Sequence, residues 1–197
     1  MRIVLASGNA GKVIELEQLL AGSDVELVAQ TSLGVDDADE TGLTFVENAL
    51  IKARHAARAT GLPALADDSG ICVDALNGAP GLYAARYAGT HGDSAANNAK
   101  LLRELGGVPP ERRSAYFIAV LVLLRHADDP APLIAEGRWH GRILEAPRGE
   151  GGFGYDPLFL PDGHDVSAAE LEPARKNRLS HRGQALALLK ARFAELA

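Results

Sequence analysis

Two neighbouring carboxylates, Asp67 and Asp68, stand in the stretch Ala66-Asp67-Asp68-Ser69-Gly70. Side by side they repel one another, and a divalent cation relieves that repulsion while orienting or acidifying a water molecule. The same letters also suit a plain turn between two strands, because Asp and Ser bond readily to nearby backbone. The stretch alone leaves both readings open. Glu40 lies in an acidic run with Asp36, Asp37 and Asp39; it could join Asp68 around a metal or simply be solvated. Lys52 stands one helical turn after Asn48, where a solvated lysine is the default.

A second constellation is Ser7-Gly8-Asn9-Ala10-Gly11-Lys12. It follows an apolar run and precedes a helical pattern. A helix start directs unpaired N–H groups and positive dipole outward, glycines admit close backbone approach, and Ser, Asn and Lys add donors. That is the physics of a phosphate cradle, although the spacing is not that of a Walker loop. An ordinary strand-to-helix turn would read the same way. Further on, Gly151-Gly152-Phe153-Gly154-Tyr155-Asp156 sets two aromatic rings among glycines, suited to stacking on a flat heteroaromatic base or to core packing. Lys176-Asn177-Arg178-Leu179-Ser180-His181-Arg182 crowds basic groups at a helix start, where the macrodipole disfavours them and an anionic or carbonyl-rich ligand would help.

The elements that must position these groups follow from periodicity. Arg2 to Ala6 reads as a buried strand. Val13, Leu16, Leu19 and Leu20 recur at helical spacing, and Asp24 to Val28 reads as a strand, together a β-α-β opening. Thr44-Phe45-Val46-Glu47 matches a capping box that opens a helix running to about Thr60, stopped by Gly61 and Pro63. Leu62–Ala66 and Ile71–Leu76 read as two strands flanking a turn at Asp67–Gly70. Residues 93–105 read as a helix capped by Asp93. Tyr116–Leu124 reads as a central strand that turns at Asp128-Asp129-Pro130 into a partner near Leu133–Trp139. A last helix is expected from about Ser180. No internal repeat or low-complexity linker appears, so residues 1–197 read as one domain.

Composition narrows the function classes. The chain has 197 residues and a net charge of −6 without any basic block, which argues against a broad nucleic-acid or anionic-lipid surface. An anionic ligand would need a concentrated pocket. The single cysteine, Cys72, cannot form an internal disulfide and fits a reducing cytoplasm. No apolar run reaches the roughly 18 residues of a membrane span, and the apolar stretch at the N-terminus is too short for a signal peptide.

The order of these signals is specific. Ser7-x-Asn9-x-x-Lys12, Thr44-Phe45-x-Glu47-Asn48-Ala49, Ala66-Asp67-Asp68-Ser69-Gly70, Gly78-Ala79-Pro80-Gly81-x-Tyr83-x-Ala85-Arg86-Tyr87, Gly152-Phe153-Gly154-Tyr155-Asp156-Pro157-x-Phe159 and Lys176-Asn177-x-x-Ser180-His181-Arg182 succeed one another. This closely resembles the inosine/xanthosine triphosphate pyrophosphatases, enzymes of non-canonical purine nucleotides, from residue 3 to residue 190. The resemblance implies an α/β fold, with a mixed central sheet flanked by helices and two lobes around a long substrate cleft. It implies a homodimer, Mg²⁺ dependence, and hydrolysis of ITP, dITP and XTP to the monophosphate and pyrophosphate. It puts the triphosphate on Ser7, Gly8, Asn9, Ala10, Gly11 and Lys12, with Lys52 assisting. It makes Asp68 the catalytic carboxylate and a metal ligand, Glu40 a second metal ligand and Ser69 a substrate contact. Phe153, Gly154, Tyr155, Asp156, Lys176, His181 and Arg182 then surround the base and the adjoining phosphate. A lysine or arginine can donate to the 6-carbonyl of hypoxanthine or xanthine but not to the amino group of adenine, and Arg182 and Lys176 are the candidates. Asp67 supports the metal or orients Asp68. A nucleotide-binding sensor without catalysis is the rival from another class, and the clustered acids speak against it.

Overall fold

The β-α-β opening forms as the hydrophobic pattern requires. In the computed structural model, which describes residues 1–196, β1 (Arg2–Ala6) is followed by α1 (Ala10–Leu20) and β2 (Glu26–Ala29). β1 and β2 pair in parallel, with Ile3 opposite Leu27 and Val4 opposite Val28. Next come α2 (Phe45–Thr60), β3 (Ala64–Val73), the two-residue β4 (Pro80–Gly81) and α3 (Ser94–Glu104). Then β5 (Ser114–Leu124), β6 (Leu133–Ile143) and β7 (Phe159–Pro161) precede α4 (Pro173–Leu179) and α5 (His181–Lys190). The seven strands make one sheet in the order β2-β1-β3-β5-β6-β7, with β4 on β3. It is mixed: β1 and β3 run parallel, whereas β3/β4 and β6/β7 are antiparallel.

Two differences from the sequence expectation matter. β3 is one ten-residue strand running through Asp67–Gly70, not two strands around a turn. Nine of its ten residues are buried, so both faces are covered and the backbone has more to gain from ladder bonds than from turning. The last helix begins as expected near Ser180, but a separate helix, α4, precedes it. Ser180 itself is non-helical, with φ −64° and ψ 157°, and breaks what the basic run alone suggested was a single helix start.

The chain resolves into two compact units. The first takes Met1–Asp68, Ala119–Gly137 and the chain from Arg182 onward; the second takes Ser69–Ile118 and Arg138–His181. In the first, Ile3, Leu5, Leu65, Leu121 and Leu123 share one sheet face with Leu16 and Leu20 of α1 and Leu186 and Leu189 of α5. The opposite face of β3, with Ala64 and Ala66, is left to α2. That helix buries Ala49, Ala53, Ala56 and Ala57, a stripe of small side chains at helical spacing. The α2 start is capped at Thr44 as expected, Glu47 N donating to Thr44 Oγ1, while the Glu47 carboxylate accepts from Leu43 N at 2.9 Å, one residue before the cap. The second unit packs Ile71, Leu101, Leu105, Trp139, Ile143 and Leu158 around Phe117 and Phe159, whose rings meet edge to face at 4.7 Å.

The loop from β5 to β6 shows how one acid can hold a turn. Asp129, 1% exposed, accepts from Arg125 N, Ala131 N and the Arg125 guanidinium, at 2.7–3.0 Å. These bonds hold its carboxyl far below the usual carboxylate range, against the opposing effect of burial. Its folded-state value lies below its unfolded one, so its contribution is full above about pH 4 and is lost as pH falls toward the folded value. Asp129→Ala should lower stability at pH 7 by about 1.5–3 kcal/mol, the scale of charge-assisted bonds. The gap from the parent should narrow steadily below pH 4 in urea titrations.

Candidate active site

Within the first unit, strand geometry separates the two neighbouring acids. Successive side chains of a strand point to opposite faces. Asp67 falls on the face of Leu65, toward α1 and α5; Asp68 falls on the face of Ala66, toward α2. Lys52 of α2 donates to Asp68 Oδ1 at 2.6 Å, to Glu40 Oε1 at 2.8 Å and to the Asp67 carbonyl at 2.9 Å. Two carboxylates from distant segments thus converge on one ammonium. The loop that brings Glu40 is tied down by buried Asn48, whose Oδ1 accepts from Gly42 N at 2.8 Å. The asparagine of the Thr-Phe-x-Glu-Asn-Ala motif is therefore an anchor for the acidic loop.

Asp67 belongs to a different network. Its carboxylate faces Arg182 Nε at 2.7 Å and Lys12 Nζ at 2.8 Å. Arg182, 1% exposed, also reaches the carboxylate of Glu15 on α1. Arg182 was expected as a donor to the base; here its Nε and one Nη hold two buried acids. Glu15 was missed in the sequence, although an acid beside Leu16 on a helix face that must be buried is a readable signal of a hidden counter-charge.

These surroundings set the charge states. Burial pushes the Asp68 carboxyl up from its ordinary value, outweighing the pull of Lys52 and Lys12. Burial acts the same way on Asp67, but Arg182 and Lys12 overcome it and hold that carboxyl well below the usual range. Lys12 is lowered by burial and by its cationic neighbours despite Asp67. Burial would lower Lys52 too, yet Asp68 and Glu40 carry it above its ordinary value. The two neighbouring acids are thus shifted in opposite directions, Asp68 up and Asp67 down.

The β1–α1 junction has the expected form. Asn9 caps α1, its Oδ1 accepting from Lys12 N at 3.1 Å, and Ser7 Oγ accepts from Asn9 N at 3.2 Å. Ala10 and Gly11 begin the helix. A side chain on Gly8 would meet the Asp37 carboxylate at 2.6 Å, so the close approach that glycine permits is used by an anion of the chain itself. Gln30 holds that carboxylate through Nε2 at 2.5 Å.

The second unit carries the other predicted residues. Asp156 Oδ2 accepts from Phe153 N at 2.8 Å and from Lys176 Nζ at 2.7 Å. Lys176 lies 5.0 Å from the centre of the Phe153 ring. Gly152 adopts φ +70°, and a side chain there would strike Asp156 Oδ2 at 2.2 Å. The loop therefore presents Phe153, 37% exposed, above a buried lysine–carboxylate pair. Tyr155 is buried and donates to Ala84 O at 2.8 Å, so of the two rings one is presented and one is core. His181 stacks on Phe117 at 4.8 Å with planes 10° apart. Ser69 continues β3, half-buried.

Could the acids hold a metal? No group of three or more His, Cys, Asp or Glu with that potential exists among the described residues. Glu40 and Asp68 nevertheless meet on a single cation and offer hard oxygen donors. Mg²⁺ commonly takes one or two carboxylates together with substrate phosphates and waters. The donor pair fits such an ion when a polyphosphate completes the shell.

The model of the Ham1 family matches residues 3–192. The chain belongs to the Ham1 family. Among its relatives, a dITP/XTP pyrophosphatase of Xanthomonas oryzae pv. oryzae is 67% identical over 187 residues, 95% of this chain and 94% of that one. A HAM1 protein from Coxiella burnetii superposes with a TM-score of 0.90 at 50% identity, covering 99% of each chain. A nucleoside-triphosphatase / dITP/XTP pyrophosphatase from Mycobacterium abscessus gives 0.77 at 48% identity, over 96% of this chain and 98% of that one. The mixed sheet described above is thus the family's fold, found from end to end of the chain.

Proposed function

We propose that this chain is a Mg²⁺-dependent pyrophosphatase that hydrolyses ITP, dITP and XTP to the nucleoside monophosphate and pyrophosphate, clearing non-canonical purines from the nucleotide pool. The observation that carries the reading is the convergence of Glu40 and Asp68 on Lys52, in the unit that also holds the β1–α1 junction. A pure binder of polyanions gains little from two acids at that place unless a cation joins them.

In this reading Ser7, the backbone from Gly8 to Gly11, Asn9, Lys12 and Lys52 bind the triphosphate, offsetting a chain whose net charge is −6. Asp68, raised by burial, orients a water molecule and takes its proton. The water oxygen then forms a bond to the α-phosphorus as the bond to the bridging oxygen breaks, and pyrophosphate leaves. Glu40 and Asp68 would hold the metal; the chemistry a bound Mg²⁺ supplies is neutralisation of charge on the leaving pyrophosphate. Lys12 and Lys52 stabilise the same charge from the protein side. Ser69, next after Asp68, is a substrate contact.

The second unit is assigned the base. Phe153 offers a stacking face, and Gly154, Tyr155 and Asp156 hold it. Lys176 and Asp156 form a donor and an acceptor 2.7 Å apart. Hypoxanthine and xanthine present a 6-carbonyl beside an N1–H, the complementary order; adenine presents an amino donor beside a bare N1. Mismatching such a pair costs about 1–3 kcal/mol, roughly ten- to over a hundredfold per contact. His181 is assigned to the surroundings of the base, whereas Arg182, held by Asp67 and Glu15, steadies the acid that faces Lys12. A single functional domain and a homodimer belong to the same proposal. No helix among the described residues is long and apolar enough to cross a membrane; the cytoplasmic assignment rests on the lone Cys72, which fits a reducing compartment.

Product analysis over ITP, dITP, XTP, GTP and ATP tests this reading. Pyrophosphate and monophosphate should appear in equal amounts from ITP, dITP and XTP, with ATP turned over at least tenfold less efficiently, and EDTA should stop the reaction. Guanine shares the 6-carbonyl and N1–H, so the rate on GTP measures recognition beyond Lys176 and Asp156. Orthophosphate as the first product would overturn the cleavage site. Full turnover in EDTA would remove the metal.

A further inference from the structure

The motif Gly78-Ala79-Pro80-Gly81-x-Tyr83-x-Ala85-Arg86-Tyr87 takes no part in the chemistry above, yet it is joined to the loop that presents Phe153 once directly and once through α3. Tyr155 Oη donates to Ala84 O at 2.8 Å. From α3, buried Asn97 accepts from Ala88 N at 2.7 Å and donates to Ala85 O at 3.2 Å. The next residue on the helix, Asn98, donates through Nδ2 to Gly154 O at 3.0 Å. α3 thus grips the 84–88 segment with one asparagine and the Phe153 loop with the other, and Tyr155 joins the two directly.

The two asparagines differ in how well they are satisfied. Asn97 uses both ends of its amide. Asn98 Oδ1 is buried and has no hydrogen-bond partner among the described residues. Exchanging its O and N would set an oxygen against the Gly154 carbonyl, so the orientation is fixed by that one bond. Leaving a buried acceptor unpaired is unfavourable for stability. An amide kept under these conditions is understandable if the bond to Gly154 is what matters. Gly154 adopts φ +62° and directly follows Phe153, while Asp156 holds the Phe153 N–H from the other side. The ring is therefore set by two anchors, one at its own backbone N–H and one at the next carbonyl.

We propose that Asn98 is a positioning residue for base recognition: it fixes the Phe153 platform from behind, with the 78–87 motif and Tyr155 as the frame against which it acts. The proposal rests on Phe153 being the base platform, as set out under Proposed function.

The test is a double-mutant cycle on ITP hydrolysis with Asn98→Leu and Phe153→Ala. Leucine is close to asparagine in size, removes the unpaired acceptor and cannot bond to Gly154. Losing one hydrogen bond should raise KM for ITP about three- to tenfold. The value of kcat should stay within about twofold and the thermal midpoint should not fall, a split that general loosening of the fold does not produce. Asn98→Asp, which keeps an acceptor but loses the donor, should raise KM as Asn98→Leu does, and serves in its place if the leucine variant misfolds. In the Phe153→Ala background Asn98→Leu should add little, because the two act through one platform. An unchanged KM in Asn98→Leu, or an increase that persists undiminished without the Phe153 ring, overturns the role given to Asn98. If Phe153→Ala itself leaves KM unchanged, the platform reading fails, and this inference with it. If only Asn98→Leu is silent, the platform stands and the inference alone is lost.

Discussion

Asp68→Asn should lower kcat for ITP at least about a hundredfold, the scale of lost acid–base help, while the urea midpoint stays close to that of the parent. The substitution preserves shape and removes only the ability to carry charge and take a proton. Lys52 would keep Glu40 at 2.8 Å and the Asp67 carbonyl at 2.9 Å, so the ammonium is not abandoned in the interior. Because burial raises Asp68, replacing its charged form with a neutral amide carries little folding penalty. Activity and stability should therefore part company. Steady-state pyrophosphate release and equilibrium unfolding on the same preparation check this. Near-normal turnover would take Asp68 out of the reaction.

The neighbouring residue should behave in the opposite way. Asp67→Ala should cost about 3–5 kcal/mol of folding free energy, as expected when one partner of a buried ion pair is removed. Against a total stability of roughly 5–15 kcal/mol for a native protein, that is a large fraction. The side chain is fully buried between Arg182 Nε at 2.7 Å and Lys12 Nζ at 2.8 Å. Without it two cations remain, and Glu15 can answer only for the arginine. Lys12 is already lowered by burial, with Asp67 the main group opposing that effect. In the variant it will give up its proton more readily. The deficit should accordingly shrink as pH rises above neutrality, which unfolding curves from pH 6 to 10 would show. A loss below about 1 kcal/mol at pH 7 would mean that water reaches these charges and that the network is not dry.

Much of the framework was legible because it depends on local rules. The β-α-β opening, the capping box at Thr44, the cap at Asp93 and the long apolar strand ending at Leu124 all follow from periodicity or from a single bonding residue. Candidate site residues could be named from the sequence because cradle, acids and aromatic loop are each made of adjacent letters. What escaped the reading depended on tertiary burial. Asp67–Gly70 carries turn residues, and only the covering of both sheet faces makes β3 continuous through them. Glu15 and Arg182 are distant in sequence, and neither shows its partner in the chain. Lys52 looked like a solvated lysine until Glu40 and Asp68 were seen to meet on it. Asn98 has no signal at all in one sequence, since its importance lies in a single carbonyl 56 residues away.

The continuity of β3 has a consequence for how this gene can vary. Which acid meets Lys52 is decided by parity along the strand, so the spacing between the pairing residues Ala64–Ala66 and the two aspartates cannot change by a single codon. Losing one residue there would deliver Asp68 to the arginine and leave the lysine facing Ser69. Substitutions can be tolerated around this segment; insertions and deletions within it would trade the reactive acid for the inert one.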